Sequence, residues 1–154
     1  MAAEESGKGL GLAYRYLNRR ERTVAEVRGR LEQAEIGSDE IDAVVEELLE
    51  YGYLDDARYA RMFAEDKRNL EQWGADRISR ALRERGVDRE LISEALALSD
   101  GQQESELERA LSLLRQRLPA GPADPRDRER AFGMLVRKGY DSDVAGDAVR
   151  AWSR

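Results

Sequence analysis

Apolar residues recur along the chain at the spacing of an α-helix. In one segment, Ile41, Val44, Val45 and Leu48 fall on a single helical face, with charged residues between them. No segment shows the strict alternation of apolar and polar residues that is typical of a half-buried strand. The pattern therefore predicts an all-α protein.

Helix caps and helix-ending glycines divide this pattern into short segments. Thr23 and Glu26 have the spacing of a capping box, and Asp124 before Pro125 is an N-cap followed by proline at the first helical position. The glycines that mark helix ends are Gly37, Gly52, Gly86 and Gly139. The resulting prediction is nine helices, over residues 10–21, 23–35, 39–51, 55–72, 75–85, 89–98, 102–118, 125–138 and 142–152.

The apolar pattern also repeats within the chain. Shifts of 51 and then 53 positions superimpose three apolar sets: Leu31, Ile41 and Val45; Leu82, Ile92 and Leu96; and Leu135, Ala145 and Val149. A repeat of about 52 residues with three helices per unit predicts an elongated, curved tandem array of three three-helix repeats. Because one unit alone buries little apolar surface, we expect neighbouring units to stack.

The same repeat predicts where the units begin and end. The first covers residues 10–52, the second 53–99, and the third 100–154 with a proline-rich loop at 119–124. Residues 1–9 are predicted to form a disordered tail.

Aromatic residues at helical spacing are expected to pack between helices. They are Tyr59, Phe63, Trp73, Phe132 and Trp152. Tyr51 and Tyr53 are interpreted as packing across the joint between the first and second units.

Composition narrows the possible functions. The chain has no histidine and no cysteine, which excludes the usual catalytic triads, imidazole bases, thiol nucleophiles and nearly every zinc site. Catalysis would therefore depend on groups such as carboxylates. Asp55 and Asp56 are either a metal-binding pair of that kind or a cap for the following helix. We predict a protein without catalytic activity, cofactor or metal.

Charge and hydropathy indicate where such a protein is found. Charged residues make up 38% of the chain, against about 25% in a typical domain, which suits an elongated shape with much surface. No apolar run approaches the roughly 18 residues that can span a bilayer, and the first residues are acidic. These features predict a cytoplasmic protein that does not contact membranes.

The segment from Gly74 to Leu96 has the appearance of a helix-turn-helix, which raises sequence-specific DNA binding. In the three repeats, the corresponding second helix begins with "GSDE", "VDRE" and "YDSD". Those carboxylates would face the acceptor-rich edges of bases, whereas they suit N-caps and helix dipoles. The pattern therefore argues against operator recognition.

Basic residues form clusters along the predicted array. Arg77, Arg80 and Arg83 are spaced by threes, so we expect one exposed stripe on the helix that they share. Further clusters are Arg15, Arg19 and Arg20; Lys67 and Arg68; and Arg130, Arg137 and Lys138. Each is either an ordinary solvated face or one of several weak contacts to a long polyanion or filament. The net charge of −6 favours a partner that offers both protein and phosphate over DNA alone.

The central segment of the chain resembles a known family. "EYGYLDDARYA" followed by "WGADRISRALRERGVDRELISEAL" is similar to the core of the RecX family, bacterial regulatory proteins that act on the RecA recombinase. The resemblance runs from Leu10 to Trp152. The family motif falls on Gly52, Tyr53, Leu54, Asp55, Asp56, Arg58, Tyr59, Ala60, Gly74 and Gly86.

The resemblance implies a function and partners. RecX proteins lie in the groove of the RecA filament on DNA and inhibit ATP hydrolysis, strand exchange and the repressor cleavage of the SOS response. The expected partners are therefore the RecA filament and, more weakly, single- or double-stranded DNA, contacted by the basic clusters of a monomeric protein. The alternative is a DNA-binding helical-repeat protein that acts without a recombinase.

Overall fold

The computed structural model describes residues 2–100 and 105–154, with side chains described for 7–97 and 105–154. Within these ranges the chain forms nine α-helices and no strand, which confirms the all-α prediction. The helices are α1 (Ala2–Arg19), α2 (Val24–Gln33), α3 (Ser38–Glu50), α4 (Asp56–Leu70), α5 (Ala75–Glu84), α6 (Arg89–Asp100), α7 (Glu106–Arg117), α8 (Pro125–Lys138) and α9 (Ser142–Trp152).

Two predicted helix starts are set by side-chain caps. The hydroxyl of Thr23 accepts a hydrogen bond from the Glu26 N–H at 3.1 Å, and the Glu26 carboxylate accepts one from the Thr23 N–H at 3.0 Å. This pair is the predicted capping box of α2. Asp124 caps α8, in which Pro125 is the first residue. The caps satisfy N–H groups that a helix leaves without an internal partner.

The first and seventh helices differ from the predicted boundaries. α1 begins at Ala2, so residues 2–9 are helical where a disordered tail was expected. The turn around Gly9 lies against α3, because the Gly9 N–H donates to a Glu40 carboxylate oxygen at 3.1 Å. α7 begins at Glu106 with its own capping box from Ser105, and its predicted start at residue 102 lies outside the described residues.

One predicted helix end also differs. Gly86 and Gly139 end α5 and α8 with φ of 81° and 103°, in the left-handed region that favours glycine. The equivalent residue after α2 is Glu35, with φ of 62°. Gly37 does not end α2; it is the extended N-cap of α3.

The described residues form three separate apolar cores, one for each unit. The first is built by α1 to α3 around Leu31 and Leu48, and the second by α4 to α6 around Ile78 and Leu82. The third is built by α7 to α9 around Leu135. Helix pairs that pack extensively all lie within one unit. The expectation that one unit alone buries little apolar surface is therefore wrong, because each unit closes its own core.

The protein exposes more surface than a compact molecule of its size. Its accessible surface is 9814 Å² for a mass of 17.5 kDa. A compact monomer of this mass exposes about 7,900 Å². The excess of about a quarter agrees with three small cores arranged in an elongated array.

Polar contacts join the first unit to the second. The Thr23 hydroxyl donates to the Arg85 carbonyl at 2.6 Å, and the Val24 N–H donates to an Asp56 carboxylate oxygen at 2.9 Å. Gly86 touches Ala25 so closely that a side chain there would overlap it. The start of α2 therefore docks onto the end of α5 and the start of α4.

The joint between the second and third units repeats this chemistry. The Gly74 N–H donates to the Lys138 carbonyl at 2.8 Å, and the Asp76 N–H donates to the Gly139 carbonyl at 2.9 Å. The Ala75 N–H donates to a Glu106 carboxylate oxygen at 3.1 Å. At both joints, the first residue of a unit's first helix is acidic: Asp56 in the second unit and Glu106 in the third. Its carboxylate accepts a hydrogen bond from a backbone N–H at the start of the middle helix of the preceding unit. The joints are thus matched polar contacts rather than apolar interfaces.

Candidate functional site

The predicted arginine stripe on α5 divides into two parts. Arg80 and Arg83 are exposed. Arg77 is half-buried; its guanidinium lies 4.1 Å from the centre of the Trp73 ring and donates to the Arg137 carbonyl at 3.4 Å. Arg77 therefore helps to hold the third unit, while Arg80 and Arg83 stay free to contact a partner.

Three cations gather over two aromatic rings beside this stripe. The Lys67 ammonium lies 4.7 Å from the ring centre of Trp73 and 5.5 Å from that of Phe63. The Arg85 guanidinium lies 4.8 Å from the Phe63 ring centre. With Arg77, these side chains form a cation–aromatic cluster in which the ring faces hold the positive charges in place.

A cleft of about 310 Å³ extends this cluster to the first unit. Arg20, which follows α1, lines the cleft together with Lys67 and Arg85, and Asp66 and Glu71 supply its acidic walls. Tyr59 lies at its floor, and burial is the main cause that raises the pKa of its hydroxyl. The cleft thus combines residues of the first two units.

The third unit reaches the same place through Lys138, whose ammonium donates to the Glu71 carbonyl at 2.9 Å. The cluster, the cleft and Lys138 together form one surface, which we call the basic–aromatic band. Its residues are Arg20, Phe63, Lys67, Trp73, Arg77, Arg85 and Lys138. The band crosses both joints. Phosphate groups bind guanidinium and ammonium groups of this kind.

Sequence reasoning missed Arg85. Arg85 lies just before Gly86, at the end of α5, and does not follow the three-residue spacing of Arg77, Arg80 and Arg83. The available signal was its position at the C-cap of the same helix, two residues after Arg83. Only the packing of Phe63 beneath its guanidinium assigns it to the band.

One predicted contact residue is buried. Arg68 has 6% of its surface exposed and pairs with Glu106 at 3.0 Å, while also donating to the Leu96 carbonyl at 3.1 Å. A buried charge needs such partners. This burial argues against the prediction that Arg68 contacts a partner, since the side chain instead secures the joint between the second and third units.

The other predicted basic residues lie outside the band. Arg15 and Arg19 gather with Arg30 around a depression of about 290 Å³ on the first unit. Arg130 is exposed on α8 and forms an ion pair with Asp127 at 3.6 Å. Arg137 is also exposed, with its guanidinium beside Gly133.

The aspartate pair of the motif is structural. Asp55 is the N-cap of α4 and accepts from the Arg58 N–H at 3.0 Å, which confirms the capping interpretation. Asp56 reaches across the joint to Val24. Burial raises the pKa of Asp56, opposed by the Val24 hydrogen bond and reinforced by nearby carboxylates. Arg58 donates to the Gly52 carbonyl at 3.1 Å and so stabilises the turn before α4.

Family comparisons agree with this division into units. The model described as "RecX, first three-helix domain" matches residues 10–48, and "RecX, second three-helix domain" matches residues 55–96. The "Regulatory protein RecX" of Trichlorobacter lovleyi is 39% identical over 138 residues, covering 86% of this chain and 87% of the relative. The chain belongs to the RecX family.

Other RecX proteins extend the match. The protein of Deinococcus radiodurans is 36% identical over 141 residues, covering 92% of this chain and 66% of the relative. The crystal structure of RecX from Lactobacillus salivarius has a TM-score of 0.82 at 23% identity and covers 97% of both chains. A second crystal structure, of "regulatory protein RecX", has a TM-score of 0.78 at 22% identity and covers 97% of this chain and 73% of the other. These structures share the fold of all three units.

The segment between the two matched RecX domains does not pack as expected. Leu54 is buried in the core of the first unit. The Tyr53 ring meets the Tyr14 ring of α1 edge-on, with centres 5.3 Å apart, and Tyr51 is exposed. The interpretation that Tyr51 and Tyr53 bridge the first two units is therefore wrong, since their neighbours belong to the first unit.

Of the aromatic residues expected to pack between helices, Tyr59 and Trp152 are buried, and Phe132 is exposed. The Trp152 indole N–H donates to the Leu118 carbonyl at 3.1 Å, which closes the loop before α8 onto the third core. Phe63 and Trp73 are half-buried because their rings also support the cations of the band.

The described part of the RecX chain contains neither a metal-binding cluster nor a membrane-spanning helix. Among those residues, no group of three or more His, Cys, Asp or Glu side chains comes together in a way that could hold a metal ion. None of the helices described is both long enough and apolar enough to cross a membrane.

Proposed function

We propose that this RecX protein regulates RecA by binding in the groove of the RecA filament on DNA. There it inhibits or modulates filament growth, ATP hydrolysis, strand exchange and the cleavage of the SOS repressor. It acts without catalysing a reaction, as a monomer in the cytoplasm.

The observation that carries the proposal is that the basic–aromatic band crosses both joints. All three units supply cations to it, through Arg20, Lys67 and Lys138. A filament on DNA repeats protein and phosphate along its length, so a continuous band can contact several positions at once. Linked weak contacts raise the effective concentration of each later contact, which allows a chain with net negative charge to bind.

The proposed mechanism is occupation of the groove. Each joint fixes the direction of the next unit through several hydrogen bonds, including those of Asp56 and Glu106. An array held in this way spans neighbouring subunits, with Arg80 and Arg83 beside the band. Its presence obstructs the addition of the next subunit and the movements that accompany ATP hydrolysis.

Charge reversal tests the band. Replacing Arg20 and Lys67 by glutamate should reduce the inhibition of DNA-dependent RecA ATPase by about tenfold or more, since two phosphate or carboxylate contacts become repulsive. The matched control replaces Arg61 and Arg89, which are exposed and outside the band, by glutamate and so changes the net charge equally. Equal inhibition by the two variants would show that the band is not the contact surface.

The cation–aromatic cluster also favours the second candidate, a DNA-binding repeat protein that needs no recombinase, because aromatic rings together with basic side chains are typical of surfaces that bind single strands. A salt titration of binding to single-stranded and duplex DNA separates the two functions. Tight binding with a steep salt slope, together with unchanged RecA filament length and ATPase, would favour the second candidate.

A further inference from the structure

Three exposed tyrosines lie at one corner of the first unit. Tyr14 is 37% exposed, Tyr51 67% and Tyr53 51%. Gly52, with φ of 77°, makes the turn that separates Tyr51 from Tyr53. The core of the first unit is complete without these rings, so packing within the unit does not account for them.

Two of the three tyrosines line a shallow depression. This depression of about 320 Å³ is lined by Tyr14, Leu17 and Tyr53, with Asn18 and Arg15 at its polar side. The planes of the Tyr14 and Tyr53 rings are 83° apart, an edge-to-face contact that holds both rings in position. Two of the three rings are thus ordered before any partner arrives, which lowers the entropy cost of binding.

The helix beside this surface is strongly acidic. α3 carries six acidic residues and no basic residue. Asp42 has an ion pair, with Arg28 at 2.8 Å, and Glu40 accepts from Gly9. Glu47 lies on α3 one helical turn before Tyr51, and its carbonyl accepts a hydrogen bond from the Tyr51 N–H at 3.0 Å. Partial loss of hydration raises the pKa of the Tyr14 hydroxyl, and the nearby Tyr53 and Glu47 raise it further.

These observations indicate the chemistry of a partner. The faces of tyrosine rings carry negative charge density that attracts ammonium and guanidinium groups, and a neighbouring carboxylate strengthens that attraction. An uncharged apolar partner would leave the carboxylate of Glu47 without a counterpart, and DNA phosphates would be repelled by α3.

We propose that Tyr14, Glu47, Tyr51 and Tyr53, which we call the tyrosine face, bind an arginine- or lysine-bearing segment of the partner protein. The inference rests on the proposed function, in which that protein is RecA. The two surfaces then contact different parts of the filament. The basic–aromatic band contacts phosphate and acidic walls of the groove, and the tyrosine face contacts a basic part of a RecA subunit.

Affinity measurements test this division. Replacing Tyr51 and Tyr53 by alanine should weaken binding to RecA filaments on single-stranded DNA by about tenfold, since tyrosines often dominate interface energies. Binding to single-stranded DNA alone should not change. The control is Phe132→Ala, which removes another exposed aromatic ring, on α8 of the third unit. Thermal melting of each variant checks that it remains folded.

The outcomes separate this inference from the proposed function. If wild-type protein does not bind the filament, the proposed function fails. If wild type binds and the double tyrosine variant binds equally well, the tyrosine face is refuted and the proposed function stands.

A crosslinking experiment avoids any effect on folding. A photoreactive phenylalanine at position 51 should crosslink to a RecA peptide that contains arginine or lysine, and more efficiently than the same group at position 62, which is exposed on α4. Crosslinks to a second copy of this chain, to peptides without basic residues, or with equal yield from position 62 would overturn the inference.

Discussion

The buried ion pair between Arg68 and Glu106 should decide whether the third unit stays attached to the second. The side chain of Arg68 is 2% exposed and that of Glu106 18%, with 3.0 Å between the charged atoms. Replacing Glu106 by glutamine keeps an oxygen that can accept from the Ala75 N–H but leaves the guanidinium of Arg68 buried without a counter-charge. Breaking one side of a buried pair costs about 3 kcal/mol or more.

Urea denaturation followed by tryptophan fluorescence measures this cost. Trp152 is buried in the third core and Trp73 belongs to the second unit, so the two residues report on both sides of the joint. For an m-value of about 2 kcal/mol per M, a loss of about 3 kcal/mol lowers the midpoint of the transition by about 1.5 M. A matched control is Glu129→Gln, the same chemical change at an exposed position on α8, which should move the midpoint little.

A double variant isolates the pair itself. Replacing Arg68 by methionine together with Glu106 by glutamine removes the buried charge as well as its partner, so the double variant should be more stable than Glu106→Gln alone. A loss below about 1 kcal/mol for Glu106→Gln would refute the assignment of a buried ion pair to the joint.

Two further substitutions test other contacts at the joints: Asp56→Asn between the first and second units, and Gly139→Ala between the second and third. Asp56→Asn should leave the protein equally or more stable at neutral pH, because the raised pKa of Asp56 means that the folded state penalises its ionised form. This penalty is present above the folded pKa of Asp56 and disappears as the pH falls through it towards the unfolded value of about 3.8. In denaturation curves, wild type should therefore gain stability relative to Asp56→Asn between pH 7 and pH 4. A stability difference between the two proteins that does not change with pH would contradict this reasoning. Gly139→Ala should cost more than about 2 kcal/mol of unfolding free energy, since φ is 103° there and a Cβ would overlap Arg77. The comparison is Gly29→Ala inside α2, where a Cβ meets open space. This substitution should stabilise the helix by about 0.5–1 kcal/mol. Equal effects of the two substitutions on the unfolding free energy would count against a close joint at Gly139.

Much of the fold depends on signals that are local in the chain. A capping box such as Thr23 with Glu26 and a proline after an N-cap act on N–H groups within one helical turn, so residue types and spacing are enough to place them. The register of the repeat could also be read, because corresponding helices bury the same face in every unit. The early start of α1 could not, since the helix around Gly9 depends on a carboxylate 31 positions away.

Local sequence signals predict even less about the candidate site than about the fold. Periodicity placed Arg77, Arg80 and Arg83 on one helical face, but it could not say that Arg77 packs on Trp73 and that the others remain exposed. Nor could it tell Lys67 from its neighbour Arg68, although one lies over aromatic rings and the other is buried against Glu106.

The sequence by itself determined the nine helices of residues 2–100 and 105–154, the threefold repeat and the family. Helical periodicity, caps and the motif from Gly52 to Ala60 are all local features of the chain. Tertiary structure decided which charges stay at the surface and which are buried in the joints between units. The physical reason is that the cost of burying a charge depends on the groups brought near it by folding. Chemically similar residues such as Lys67 and Arg68 therefore lie over half-buried rings of the proposed partner surface in one case and inside a joint in the other.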